Sequence, residues 1–182
     1  MPTGSAAVFL DRDGVINEDR GYVSQWSEFK LLPGVVHGLG RLQGLGLRLI
    51  IVTNQSGIGR GYYTEGDFAK LTTQMIDHFA DQGIDLTAVY HCPHHPTEAL
   101  GGYRQQCRCR KPGPGMIERA ISDWALDPAR CALVGDKPSD IAAGRSAGLG
   151  SLFQVTAGEA CEGATAVPDL LAVTAMLAPP NS

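Results

Sequence analysis

This 182-residue sequence predicts an α/β domain built on a parallel sheet with helices on both faces, and three observations carry that reading. Short apolar runs, each bounded by Gly, Asp or Pro, recur along the chain. Longer stretches with helical spacing of apolar residues lie between them. Several runs end on polar side chains, as strands do when their carboxyl ends open on a shared crevice.

The runs at 6–10, 47–52, 86–90, 131–134 and 149–155 are continuous rather than alternating, which suits strands buried on both sides. Helices are expected at 34–45, 64–82, 115–124 and 139–147. Thr64-Glu65-Gly66-Asp67 supplies one helix start, and Pro138-Ser139-Asp140 supplies another. Residues 168–177 read as a terminal helix before a Pro-Pro-Asn-Ser end expected to fray. No repeat or linker interrupts this order, so the chain reads as one domain over 1–182. Two loops, 14–32 and 91–114, are too long to be mere connections, and long ordered loops in a compact domain are usually functional.

Composition narrows the class of function. A 43% hydrophobic content supports one full core, and a net charge of −4 argues against a general binder of nucleic acid while leaving room for a local basic pocket. No apolar run approaches membrane-spanning length, and Met1-Pro2-Thr3-Gly4-Ser5 lacks the basic start of a secretory leader. A cytoplasmic protein is therefore expected. Five cysteines in such a compartment make disulfides unexpected and metal binding the reading to test.

The chemistry begins at Asp11-Arg12-Asp13-Gly14, directly after the first strand. Residues two apart on extended backbone share a side, so both carboxylates can face one centre. Their mutual repulsion makes sense if a cation meets one while the other keeps a proton. Thr53-Asn54-Gln55-Ser56, Arg110-Lys111-Pro112 and Gly135-Asp136-Lys137-Pro138-Ser139-Asp140 complete a set that converges on one crevice. A hydroxyl, a fixed ammonium and several carboxylates suit phosphoryl transfer. Magnesium takes oxygen ligands, which Asp11, the backbone carbonyl of Asp13 and Asp136 can supply together. Lys111 and Thr53 then meet the phosphate. Taken singly, Thr53 is equally a helix cap, Lys111 a solvated charge, and Asp140 a residue that the helix dipole favours.

The ordered motifs DRDG, VTNQSGIGRG, CRKPGPGM and GDKPSDI resemble the four motifs of the haloacid dehalogenase (HAD) superfamily of phosphatases. The resemblance implies a Rossmann-like, HAD-like sheet with no large cap domain. It further implies that Asp11 is a nucleophile forming an aspartyl-phosphate, and that Asp13 protonates the leaving alkoxide and then activates water. Thr53 would hold the phosphoryl group, Lys111 would stabilise its charge, and Asp136 would ligate magnesium, with Asp140 behind these ligands.

Within the second long loop, Cys92-Pro93-His94, twelve residues and Cys107-Arg108-Cys109 offer three sulfurs and one nitrogen, a closed structural zinc shell. His91 and His95 flank the set, and spacing alone does not exclude either as the ligand. This loop, about 91–111, resembles that of a subgroup containing heptose-bisphosphate and histidinol-phosphate phosphatases. Metal there would also position Arg110 and Lys111. Gly14-Val15-Ile16-Asn17, the stretch from Gln55 to Gly61 and the stretch from Arg110 to Met116 resemble the heptose type, and hence imply a monomer acting on a sugar bisphosphate. Asp19, Arg20, Gly21 and Tyr22 resemble a small flap over the substrate, and Asn54, Gln55, Ser56, Arg110 and Lys137 are the other expected substrate contacts. Arg60 is a further cation in reach of a second anion. Histidinol phosphate as substrate, or a phospholigand-binding module without turnover, are the rival readings. No residue decides between the two anomers of a heptose bisphosphate.

Overall fold

The structure, a computed structural model, describes residues 5–178; the expectations for the leader and for the frayed end fall on 1–4 and 179–182, outside them. Six strands form one parallel sheet: β1 (Ala7–Leu10), β2 (Arg48–Asn54), β3 (Leu86–Cys92), β4 (Ala132–Gly135), β5 (Ser151–Val155) and β6 (Thr165–Val167). Their spatial order is β3-β2-β1-β4-β5-β6. The chain therefore runs outward from β1 to β3 and then crosses back to lay β4 on the other side of β1. At such a switch the carboxyl ends of β1 and β4 part to leave a crevice.

The helices are α1 (Val35–Gly44), the single turn α2 (Ser56–Gly59), α3 (Glu65–Ala80), α4 (Gly115–Asp123), α5 (Pro138–Ser146) and α6 (Leu170–Leu177). Strand alternation divides the core between the two faces of the sheet. Val8 and Leu10 of β1 pack with Leu39 of α1, Met75 and Phe79 of α3 and Val173 of α6. Ala7 and Phe9 face the other way, toward Met116 and Ile117 of α4 and Ile141 of α5. The expected start of α3 is a full capping box: Thr64 Oγ1 accepts from Asp67 N at 3.1 Å, and Asp67 Oδ2 accepts from Thr64 N at 2.8 Å. Such a cap contributes about 1 kcal/mol and fixes where the helix leaves the crevice.

Two differences from the sequence expectations matter. β6 was not expected, because Thr165-Ala166-Val167 is a three-residue edge strand whose first two residues are exposed, so no apolar run marks it. β2 and β3 also run two residues beyond their apolar runs, since Thr53 pairs with His91 and Asn54 with Cys92. These polar residues thus stand on sheet, not on loop. The segment from 14 to 32 holds only a single 3-10 turn, Trp26–Glu28, and no cap domain. No helix among the described residues is long and apolar enough to cross a membrane.

Candidate active site

Asp11 leaves β1 at the switch point, stitched to β4 by its N–H on the Val134 carbonyl at 3.0 Å. Its Oδ1 accepts from Arg12 N at 2.8 Å and lies 2.9 Å from Lys111 Nζ. The same ammonium meets Asp140 Oδ1 at 2.6 Å and donates to the Val52 carbonyl at 2.8 Å. Three protons thus meet three acceptors, which is what a buried ammonium requires. Burial pushes the Asp11 carboxyl up, to about 7, with Lys111 opposing and Asp140 adding to the rise. For Lys111 burial acts downward, yet Asp11 and Asp140 outweigh it and hold the ammonium above its usual range. The Lys111 backbone is fixed as well: Asn54 donates to its carbonyl and accepts from its N–H, both at 3.0 Å.

Asp13 stands beside this pair, its carboxylate held on both oxygens. Oδ1 accepts from Arg12 at 3.0 Å and from Asn17 at 2.9 Å, while Oδ2 accepts from Gln55 Nε2 at 3.1 Å. Gln55 Nε2 also reaches Thr53 Oγ1 at 2.9 Å, and the Gln55 carbonyl oxygen accepts from Tyr63 at 2.5 Å. Asn54 and Gln55 therefore line the crevice with amides already engaged by protein. Gly14 follows at φ +90, and any Cβ there would strike the Asp136 carboxylate, so the turn after Asp13 requires glycine on both counts.

Asp11, Asp136 and Asp140 each present a carboxylate oxygen, all within 4.8 Å of one another. Burial raises Asp136, Lys137 opposes, and Asp140 raises it further. Asp136 Oδ1 is buried without a hydrogen-bond partner among the described residues. An orphaned carboxylate oxygen beside other carboxylates fits a hard cation such as magnesium. Asp140 has less to offer, because Lys111 takes Oδ1 and Lys137 N donates to Oδ2 at 3.0 Å.

A cavity of about 520 Å³ is floored by Asp11, Asp13, Lys111 and Asp140; Thr53 and Asp136 do not line it. Asp19, Gly21 and Tyr22 form one wall, and Ser56, Arg110 and Lys137 stand around it. Lys137 reaches across the mouth to Asp19 Oδ2 at 2.9 Å. Burial tends to raise Asp19, but hydrogen bonds from Lys137 and the Gly21 N–H leave it below the ordinary carboxylate range. Arg20 stands apart from the wall, half exposed, with Nε on Glu18 at 2.8 Å. Arg60 is likewise turned away, paired with Glu98. The sequence reading had no signal for Tyr63, Asn17 and Arg12 as site groups. Tyr63 returns to the site through the tight turn of α2, and the other two act by contacts that spacing does not reveal.

In the second long loop, the sulfurs of Cys92, Cys107 and Cys109 and a ring nitrogen of His94, the expected zinc ligands, gather within 4.8 Å. His94 Nδ1 lies 3.6 Å from the Cys92 sulfur and 3.5 Å from that of Cys109. The flanking histidines are engaged elsewhere: His91 pairs with Glu65 at 2.7 Å, and His95 Nδ1 accepts from Glu98 N at 2.9 Å. Contrary to the expectation of no disulfide, the sulfurs of Cys107 and Cys109 are joined. Two cysteines in C-x-C are neighbours by covalent geometry, so whatever gathers this loop brings them together. Three sulfurs and an imidazole fit zinc, which binds thiolates; zinc and the Cys107–Cys109 bond are thus alternative fates of the same two sulfurs. Arg110 follows directly, its Nη1 donating to the His94 carbonyl at 3.1 Å. Cys131 and Cys161 are free.

The fold and this crevice are those of an HAD-like hydrolase. Residues 108–173 match the family model described as HAD-hydrolase-like. The D-glycero-beta-D-manno-heptose-1,7-bisphosphate 7-phosphatase of Pasteurella multocida is 46% identical over 84% of this chain and 83% of its own. The corresponding alpha-named enzyme of Burkholderia mallei is 48% identical over 88% and 85%. A crystal structure of D,D-heptose 1,7-bisphosphate phosphatase from B. bronchiseptica, complexed with magnesium and phosphate, superimposes with a TM-score of 0.83 at 31% identity, covering 95% of this chain and 97% of that one. The chain belongs to the D-glycero-D-manno-heptose-1,7-bisphosphate 7-phosphatase family.

Proposed function

We propose that this chain removes the C7 phosphate of D-glycero-D-manno-heptose 1,7-bisphosphate and leaves the C1 phosphate in place, acting as a monomeric cytoplasmic enzyme. The observation that carries the reaction type is the buried Asp11–Lys111–Asp140 cluster at the switch point, beside an Asp13 held on both oxygens. The names of relatives at 46% and 48% identity support the substrate.

In this reading an Asp11 oxygen attacks phosphorus, the bond from phosphorus to the C7 oxygen breaks, and Asp13 gives its proton to the leaving oxygen. Asp13 then takes a proton from the water that attacks the aspartyl-phosphate, which frees phosphate and restores Asp11. Splitting one displacement into two through a carboxylate, with a positioned acid contributing roughly 10² to 10⁴ in rate, is within ordinary enzyme practice. Lys111 and Thr53 hold the transferring group. Asp11, the backbone carbonyl of Asp13 and Asp136 would hold magnesium, which when bound would supply positive charge against the phosphate oxygens. Turnover of both heptose bisphosphate anomers and of histidinol phosphate, with and without magnesium, tests the reading. Magnesium-dependent turnover that favours either heptose anomer is expected. Faster turnover of histidinol phosphate would overturn the substrate, and no turnover of any would overturn the activity.

Cations in excess of one phosphate support the bisphosphate. Lys111 serves the group being transferred, which leaves Arg110, and Lys137 once released from Asp19, for the second anion. Arg110→Ala is expected to lower kcat/KM for the bisphosphate by about 1.5 to 3 kcal/mol, the usual range for a charge-assisted contact, and to matter much less for a monophosphate. Equal losses on both substrates would remove Arg110 from this role.

Zinc at Cys92, His94, Cys107 and Cys109 has the structural task of fixing the loop that carries Arg110 and Lys111. Metal analysis of protein purified without chelator is expected to find one zinc per chain. Cys107→Ala or Cys109→Ala is expected to lose it and to lower activity without touching a catalytic group. Absence of zinc from the wild-type protein would contradict this.

A further inference from the structure

Arg12 lies between the two aspartates of the first motif, and it is the largest fully buried side chain among the described residues, 1% exposed. A guanidinium in such a place needs a counter-charge and acceptors, because taking it out of water unpaired is costly. Its only ion-pair partner among the described residues is Asp13, Nη2 to Oδ1 at 3.0 Å. The same Nη2 donates to the Val23 carbonyl at 2.9 Å, and the guanidinium lies over the Phe29 ring, 5.9 Å from its centroid. Nε and Nη1 meet no acceptor among the described residues. Arg12 is thus committed to one carboxylate and to the stem of the flap that ends in Tyr22 and Val23.

We infer that Arg12 is a positioning residue: it holds Oδ1 of Asp13, so that Oδ2 is the oxygen that exchanges the proton, and it ties this orientation to the seating of the flap. The inference rests on the acid–base role of Asp13 proposed above. Asn17 shares the hold on Oδ1, and Gln55 steadies Oδ2 from the other side. Removing Arg12 leaves Oδ1 of Asp13 to Asn17 alone, loosening its orientation, and unpins the Val23 carbonyl. Asp11, Lys111 and Thr53 are left with their own partners. Proton transfer is therefore the step that suffers.

The test uses the magnesium-loaded enzyme as Arg12→Met and Arg12→Lys, with Asp13→Asn as reference. Each is assayed on the sugar bisphosphate, whose alkoxide needs a proton, and on 2,4-dinitrophenyl phosphate, whose leaving group does not. Arg12→Met is expected to lose about 10²-fold in kcat on the sugar substrate while KM changes by less than about threefold. On the dinitrophenyl ester it is expected to release a burst of one phenolate per enzyme before slow turnover, as Asp13→Asn does, because formation of the aspartyl-phosphate survives and its hydrolysis does not. Arg12→Lys keeps the charge facing Asp13 but not the fork that also reaches Val23. It is expected to recover part of kcat with a smaller burst, and it carries the test if the methionine variant does not fold. Equal fractional losses on the two substrates without a burst, or a kcat for Arg12→Met within about threefold of wild type, would overturn the inference. If Asp13→Asn itself shows no difference between the substrates, the acid–base reading of Asp13 falls, and the inference falls with it. A split confined to Asp13→Asn overturns the role of Arg12 alone.

Discussion

Asp11→Asn is expected to yield a folded protein without measurable turnover. The amide has the shape of the carboxylate and keeps an oxygen for the Lys111 ammonium, but it neither attacks phosphorus nor serves a hard cation well. Its effect on stability has a definite sign. Burial raises the folded-state Asp11 to about 7, from 3.8 in the unfolded chain, so the folded protein binds the extra proton between these values. The corresponding stability is fully present below about pH 4 and is lost as pH rises through about 7. Asparagine cannot ionise, so in metal-free buffer at pH 8 the variant should melt no lower than wild type. Activity above a few per cent of wild type would contradict the assignment of Asp11 as nucleophile. A much lower melting temperature would mean that its charge holds the fold together.

Lys111→Met is expected to damage both activity and fold. It leaves Asp11 and Asp140 facing each other across the space of the lost ammonium, both buried. Breaking a buried ion pair by removing one partner costs about 3–5 kcal/mol. Loss of a preorganised donor at the transferring group costs roughly 10² to 10³ in kcat. Denaturant unfolding and steady-state kinetics measure the two effects separately. The stability loss should shrink at low pH, where Asp11, raised by burial, takes up its proton. A variant as stable as wild type near neutral pH would show that the three charges are not coupled as the distances indicate.

How much of this was legible in the sequence depends on how local the cause is. Asp11, Asp13, Asp136 and Lys111 were readable because each belongs to a short motif at a sheet end or loop, and the switch of a doubly wound sheet brings such motifs together. The convergence of Lys111 on Asp11 and Asp140 is visible only in three dimensions, since an isolated lysine at the end of a long loop looks like a solvated charge. Among the three histidines around the Cys92–Cys109 cluster, the register of β3 carries a signal that the apolar pattern concealed. Because the strand runs on to Cys92, the pleat sends His91 to the opposite face, against Phe68 and Glu65 of α3. Tyr63 and Arg12 were missed for another reason. An aromatic beside a Gly-rich turn and an arginine between two aspartates both read as surface until burial shows otherwise. β6 escaped because an edge strand of three residues has too little buried face to leave a pattern.

In the proposed reaction a single crevice directs only one end of a bisphosphate at Asp11. Phosphorus NMR of the product formed from either anomer of D-glycero-D-manno-heptose 1,7-bisphosphate tests this most directly. Retention of the C1 phosphate resonance, with inorganic phosphate growing only at the expense of the C7 signal, is the expected result. Release from C1 would contradict the account of the substrate while leaving the aspartyl-phosphate chemistry of Asp11 in place.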